Sequence, residues 1–329
     1  MKRSALILQV ITKEESKYVK GGISTKDLII LGNGMAGMTA ALYAKRANLD
    51  FKIVGRDEYD FGQIGNAILV ENFPCAESQS GFDLAMKLHD QLTANEIEIE
   101  EHEIAEVAKD DKFFTIKYAD GSFDTAKTVI YALGASHRKL NINTADAPIH
   151  YCALCDGALY KDKDVAVIGG GDVAFTQAEY LSKICKHVSI VICDENVTAS
   201  PSTFERVRNI QNVKILYNYL VNVIDHNNYY YSGRWILYNE YSDYGMLEVD
   251  GIFVAIGMMP NTKPLENLIL LPEGYIDCWE DTLQSTNCAG LYAVGDVRVK
   301  RVRQGLTAAA DGAIAVDSVI RYLRLVDKR

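Results

Sequence analysis

Apolar positions follow two periods along this chain. Compact runs of the buried-strand type lie at residues 28–31, 51–54, 165–168, 188–192, 252–256 and 291–294. Alanine-rich helical patterns follow the first and third of these, from Thr39 to Ala44 and from about Ala174 to Ser182. Further helices are expected near 83–92 and 306–310, and further strands near 97–101, 113–118 and 128–132. The strand–helix–strand order occurs twice, so the pattern predicts an α/β protein with two Rossmann-like three-layer domains, the second inserted into the first.

Each repeat carries a glycine turn between strand and helix. Gly32-Asn33-Gly34-Met35-Ala36-Gly37 fits G-x-G-x-x-G, and Gly169-Gly170-Gly171-Asp172-Val173-Ala174 fits G-x-G-x-x-A. In the first, Gly32 permits the turn, Gly34 lets a pyrophosphate approach the backbone, and Gly37 lets the helix pack closely. The strand at 51–54 ends in Gly55, where a ribose-binding acid is expected. Leu291-Tyr292-Ala293-Val294-Gly295-Asp296 delivers a carboxylate at the end of a buried strand, where ligands collect in open α/β sheets.

Between the repeats stands Cys152-Ala153-Leu154-Cys155-Asp156-Gly157. Two cysteines at this spacing form a readily reduced disulfide, and the adjacent acid can move a proton to or from a thiolate. Half of a zinc site is the alternative. It needs a second Cys or His pair, and Cys75, Cys185, Cys193, Cys278 and Cys288 are all single. No metal is therefore expected.

The net charge of -10 argues against a nucleic-acid partner, and no apolar run approaches the ~20 residues of a transmembrane helix. Seven mostly isolated cysteines fit a cytoplasmic location. Residues 1–25 read as a short strand or lead-in rather than a signal peptide. Tyr229-Tyr230-Tyr231 and Trp235 read as strand aromatics.

Over about residues 26–324 the chain resembles the low-molecular-weight thioredoxin reductases. The matching pieces are the first glycine motif, Gly62-Gln63 with Glu71-Asn72-Phe73-Pro74, the Tyr151–Gly157 run, the second glycine motif, residues 253–257 with Pro260-Asn261-Thr262, and Gly295-Asp296-Val297 with Arg303-Gln304. The resemblance implies a homodimeric flavoenzyme. An N-terminal extension would cover 1–25, a discontinuous FAD-binding domain 26–139 and 257–329, and an inserted CxxC domain of pyridine-nucleotide-binding fold 140–256. It also implies that Gly32, Gly34, Ala36, Gly37, Gly62, Gln63, Asn72, Gly134, Asp296, Arg303 and Gln304 hold FAD. Cys152 would attack the disulfide of thioredoxin or a similar protein, Cys155 would exchange electrons with the flavin, and Asp156 would donate the proton.

Two departures bear on the electron donor. The family's His-Arg-Arg run and further Arg, which bind the 2′-phosphate of NADPH, are replaced by Ile192-Cys193-Asp194-Glu195-Asn196. NADPH is therefore expected to be a poor donor. Either Asp194 serves NADH, or the second glycine turn is a structural remnant. Arg298-Val299-Lys300-Arg301-Val302-Arg303 places four cations in six residues. It reads either as a solvated loop or as a docking patch for an acidic carrier such as ferredoxin. The chain is similar in this to the ferredoxin-linked, deeply rooted or diflavin-type branch, in which a second flavin is a further option. An ordinary NADPH- or NADH-dependent thioredoxin reductase is the alternative, and a non-turnover redox sensor is the reading from another class.

Overall fold

A computed structural model describes residues 25–67, 70, 72–110, 112–142, 147, 149–226, 234–241, 245–265 and 270–326. The lead-in up to residue 24, Glu71, the 229–231 tyrosines and the Cys155 side chain lie outside the described residues. Two compact units are present. The described residues within 1–60, 88–133 and 262–329 form one, and those within 61–87 and 134–261 form the other.

The first unit contains β1 (Lys26–Leu31), α1 (Met35–Arg46) and β2 (Phe51–Gly55). α2 (Gly81–Ala94) runs into it from the second unit and leads to β3 (Ile99–Glu101), β4 (Ile104–Lys109), β5 (Phe114–Tyr118) and β6 (Phe123–Tyr131). Its sheet has the order β3-β2-β1-β6-β5-β4, parallel from β3 to β6 and antiparallel from β6 to β4. β1 is buried from Leu28 to Leu31, as a strand covered on both faces must be. Ile29 and Leu31 share a core with Val107, Phe114, Ile116 and Tyr131.

The second unit runs through β7 (Ala135–His137), β8 (Ile149–His150), α3 (Ala153–Asp156), β9 (Asp164–Ile168), α4 (Asp172–Leu181), β10 (His187–Val191), α5 (Pro201–Arg208) and β11 (Val213–Leu216). It continues through β12 (Val221–His226), β13 (Trp235–Asn239), β14 (Met246–Val249), β15 (Gly251–Val254) and β16 (Met258–Pro260). A parallel sheet of order β11-β10-β9-β15-β8 forms its middle layer. Val165 and Val167 of β9 pack with Phe175, Leu181 and Val207 of the helical layer. Ala166 and Ile168 pack on the other side with Val221, Ile224 and Leu237 of the antiparallel β12-β13-β14 sheet. The chain then returns to the first unit for β17 (Leu291–Ala293), parallel to β6, and α6 (Gly305–Val326).

Both expected repeats are present, and the second is nested in the first. The boundaries between the units fall elsewhere than 139/140 and 256/257. β7 and β16 pair antiparallel, with Asn261 N–H on Gly134 O (3.0 Å) and Arg138 N–H on Gly257 O (2.9 Å). These linkers therefore belong to each other, and residues 61–87 group with them. α5 was not anticipated, although Pro201 at its first turn is a helix-start signal. α6 runs well beyond the expected 306–310. No described helix is long and apolar enough to cross a membrane.

Candidate functional site

In the first unit, β1 turns at Gly32 into α1. Gly32 has φ +107°, and a side chain there would collide with Ala132 O and Leu133 N. A Cβ on Gly37 would strike Gly32 O, so the glycine lets the helix press on the turn itself. Gly34 precedes α1 in extended conformation. Gly55 has a local cause: a Cβ there would overlap the side chain of Asn33, whose amide donates to Asp57 O (2.8 Å) and Glu58 O (3.1 Å). The missing acid thus makes room for a buried asparagine that ties the first turn to the loop after β2. Glu58 itself meets buried His89 at 2.9 Å.

Gly295, at φ +75°, brings Asp296 alongside this turn: a Cβ on Gly295 would sit 3.3 Å from the Ala36 methyl. Oδ1 of Asp296 and Nε of Arg303 are buried without a hydrogen-bond partner. Burial pushes the Asp296 carboxyl above its usual range, partly offset by Lys300 and Arg303. The Arg303 guanidinium lies 4.6 Å over the Tyr275 ring. Native folds rarely leave such groups orphaned. An acceptor and a donor left unsatisfied on the segment that Gly295 brings against the glycine turn fit a ligand with hydroxyl and phosphate groups, as FAD has. Exposed Gln304 leads α6, where its carbonyl accepts the Ala308 N–H.

The expected cation patch is corrected by this geometry. Arg298 pairs with Asp311 at 2.9 Å and Lys300 does so at 2.9 Å; the side chains are only 12%, 5% and 5% exposed for Arg298, Lys300 and Asp311. Asp311 Oδ2 also accepts the Gly295 N–H at 2.9 Å. Burial pushes the Asp311 carboxyl up, but the Arg298 and Lys300 hydrogen bonds more than offset it, and it stays below its ordinary value. The two cations therefore brace the strand end that carries Asp296. Of the three proposed docking residues, Arg301 alone is exposed.

In the second unit, Cys152 is disulfide-bonded and leads into the short helix α3. The other five described cysteine side chains are free. Burial pushes the Cys185 thiol up to about 11 and raises Cys278 and Cys288, which leaves these three protonated and unreactive. Sγ of Cys152 lies 3.9 Å from Asn66 O. The Gln177 amide donates to Tyr151 O (3.0 Å) and fixes the residue before the cysteine. A Cβ on Gly157 would come within 2.9 Å of Leu181, so this glycine lets the motif lie against α4.

Asp156 has a partner that sequence reasoning missed. Its Oδ2 is 2.8 Å from Nδ1 of His150, and Nε2 of the same ring is 2.7 Å from the Tyr160 hydroxyl. His150 sits at the end of β8 beside Phe253, and a Cβ on Gly251 would collide with the Tyr160 ring. The available signal was a histidine two residues before the CxxC. Of the remaining expected residues, Gln63 donates to Ala135 O (3.1 Å), Gly62 and Gly134 have φ +63° and +64°, and Asn72 is exposed. All four belong to the second unit, whereas the other expected FAD residues belong to the first.

The second glycine turn repeats the first at Gly169 (φ +145°), where a side chain would collide with Ala255 O. Here the loop after β10 folds onto the turn. Gly170 O accepts the N–H groups of Thr198 (2.9 Å) and Ala199 (3.0 Å). Asp172, at the start of α4, accepts the Ser200 hydroxyl (2.8 Å) and N–H (3.0 Å), which hold its carboxyl below its usual range. Ile192 is buried, whereas Cys193, Asp194, Glu195 and Asn196 are exposed. The next arginines, Arg206 and Arg208, pair with Glu179 and Glu205. Among the described residues no cluster of His, Cys, Asp and Glu is arranged to hold a metal ion.

The family model described as pyridine nucleotide-disulphide oxidoreductase matches residues 26–312. The chain is 35% identical to the thioredoxin reductase of Bacillus subtilis over 302 residues, covering 90% of this chain and 94% of the relative. It is also 35% identical to that of Mycoplasma pneumoniae over 311 residues, covering 91% and 97%. The crystal structure of Lactococcus lactis thioredoxin reductase in its FR conformation is similar with a TM-score of 0.78 and 28% identity, covering 91% of this chain and 99% of that one.

Proposed function

As the chain belongs to the pyridine nucleotide-disulphide oxidoreductase family, we propose that this oxidoreductase is FAD-dependent and reduces a protein disulfide of the thioredoxin kind. The observation that carries the reading is the Cys152 disulfide, set apart from three inert thiols, two buried and one half-buried. The first glycine turn, Asp296 and Arg303 would hold the flavin, which supplies a two-electron reductant when bound. The reduced pair carries the electrons onward: Cys152 attacks the substrate disulfide, Cys155 resolves the mixed disulfide, and Asp156 moves the proton. The donor we infer lacks a 2′-phosphate, because exposed Asp194 and Glu195 stand where a phosphate dianion would need cations. NADH fits this better than ferredoxin, since two of the three proposed docking cations, Arg298 and Lys300, are buried on Asp311. With this reading goes a homodimer, which the family resemblance implies, and a cytoplasmic location, which the isolated cysteines fit.

A donor-independent test is available. The full-length protein is reduced with dithiothreitol, desalted and mixed with oxidised thioredoxin, and substrate thiols are counted by alkylation and mass spectrometry. The wild type passes two electrons per chain. Cys152→Ser loses transfer by at least about a thousandfold, as nucleophile removal does. Equal transfer by the variant would contradict the reading.

A further inference from the structure

We propose that His150, clamped between Tyr160 and Asp156, is a positioning residue that orients the Asp156 carboxyl for proton delivery to the departing substrate thiolate. The inference rests on the Cys152 chemistry proposed above and adds to it how the acid is set up.

The geometry is specific. The His150 side chain is 15% exposed, and both ring nitrogens are engaged: Nδ1 with Asp156 Oδ2 at 2.8 Å and Nε2 with Tyr160 Oη at 2.7 Å. A neutral imidazole has one N–H, and its partner on one side decides which nitrogen bears it. Burial, with Asp156 and Asp250 nearby, raises the Tyr160 pKa and keeps the phenol protonated. A carboxylate oxygen only accepts, so the ring proton sits on Nδ1 and donates to Asp156 Oδ2. Nε2 is then the acceptor, and the Tyr160 hydroxyl donates to it. This fixes one carboxylate oxygen and leaves Oδ1 as the proton-exchanging atom. The ring itself cannot swing, because it packs against Phe253 at 5.2 Å and edge-on to Tyr160 at 5.3 Å. Besides Asp250, a further charged group near the cluster is Lys163, 5.7 Å over the Tyr160 ring.

The step balances as follows. Asp156 takes the proton of the Cys152 thiol as its sulfur attacks one substrate sulfur. The substrate S–S bond breaks, and its second sulfur leaves as a thiolate that receives the proton from Asp156. Cys155 then closes the enzyme disulfide, releasing the second substrate thiol. Two electrons and two protons leave the enzyme dithiol, and Asp156 ends as it began, still bonded to His150.

A thiol that leaves easily needs no acid, so two substrates separate orientation from mere structure. The dithiothreitol-reduced full chain is mixed with oxidised thioredoxin, or with 5,5′-dithiobis(2-nitrobenzoate), whose aromatic thiol is acidic. His150→Ala is expected to slow thioredoxin reduction about tenfold more than reduction of the aromatic disulfide, a fraction of what general acid catalysis supplies. His150→Asn, which keeps an N–H at the Nδ1 position, is expected to restore most of the difference. Tyr160→Phe removes only a hydroxyl and should slow thioredoxin selectively by about threefold. In parallel, ¹⁵N-histidine NMR should show His150 as the Nδ1–H tautomer, with Nε2 protonation appearing in Tyr160→Phe. Equal slowing of both substrates, no slowing, or an Nε2–H ring in the wild type would overturn the proposal. Undiminished transfer by Cys152→Ser would instead overturn the cysteine chemistry beneath it.

Discussion

Gly32 and Gly169 hold the same place in two strand–turn–helix units. Both take left-handed φ values, +107° and +145°, and both lie against a neighbouring carbonyl, of Ala132 and Ala255. Around the first turn stand buried groups with nothing to bond, Asp296 Oδ1 and Arg303 Nε. Around the second the chain bonds to itself: Thr198 and Ala199 close on Gly170, and Ser200 closes on Asp172. The turn is thus a folding device in both places. What it binds is decided by segments that arrive from elsewhere in each unit: residues 295–303 in the first and 192–200 in the second.

The largest expected effect tests the shared part. Gly32→Ala and Gly169→Ala should each cost about 3 kcal/mol or more, from left-handed strain and collision with backbone, as read by denaturant unfolding. Only Gly32→Ala should also lower the flavin retained by the folded fraction. Equal flavin loss in both would erase the distinction between the turns.

The brace behind Asp296 comes next. Asp311→Asn should cost about 3 kcal/mol by leaving Arg298 and Lys300 buried without their counter-charge. The pH dependence has a definite sign. The folded carboxyl lies below its ordinary value of 3.8, so its contribution is present above that value and is lost as pH falls through the lower folded one. The gap between wild type and variant, measured by unfolding at stepped pH, should therefore narrow only below about pH 4.

A smaller effect sharpens the second turn. Cys193→Arg and Asp194→Arg together should speed anaerobic flavin bleaching by NADPH at least about tenfold, since even one charge-assisted hydrogen bond contributes on the order of 1.5–3 kcal/mol. Bleaching by NADH should not gain. Smallest of all, Arg301→Glu should change reduction by ferredoxin less than twofold, as for an isolated exposed charge.

Much of this was legible in the sequence, because glycine turns and buried strands are local patterns. The runs at 28–31 and 165–168 became β1 and β9, and the expected helix near 83–92 became α2. Side-chain pairings across distant segments were not legible. Arg298 and Lys300 look like a solvated or docking run until Asp311, a turn and a half into α6, is seen to bury them. Gly55 looks like a missing ligand until Asn33 occupies its space. His150 and Tyr160 lie on either side of Asp156 with no shared period, since a strand end supplies one and a turn after α3 the other.

The central claim is that the first turn keeps a flavin while the second has lost its hold on a 2′-phosphate. Anaerobic mixing of the purified flavoprotein with NADPH, NADH and reduced ferredoxin, followed at the flavin absorbance band, tests it most directly. The account predicts a flavin-containing protein that NADPH bleaches slowly and a phosphate-free donor bleaches fast. Rapid bleaching by NADPH would contradict it.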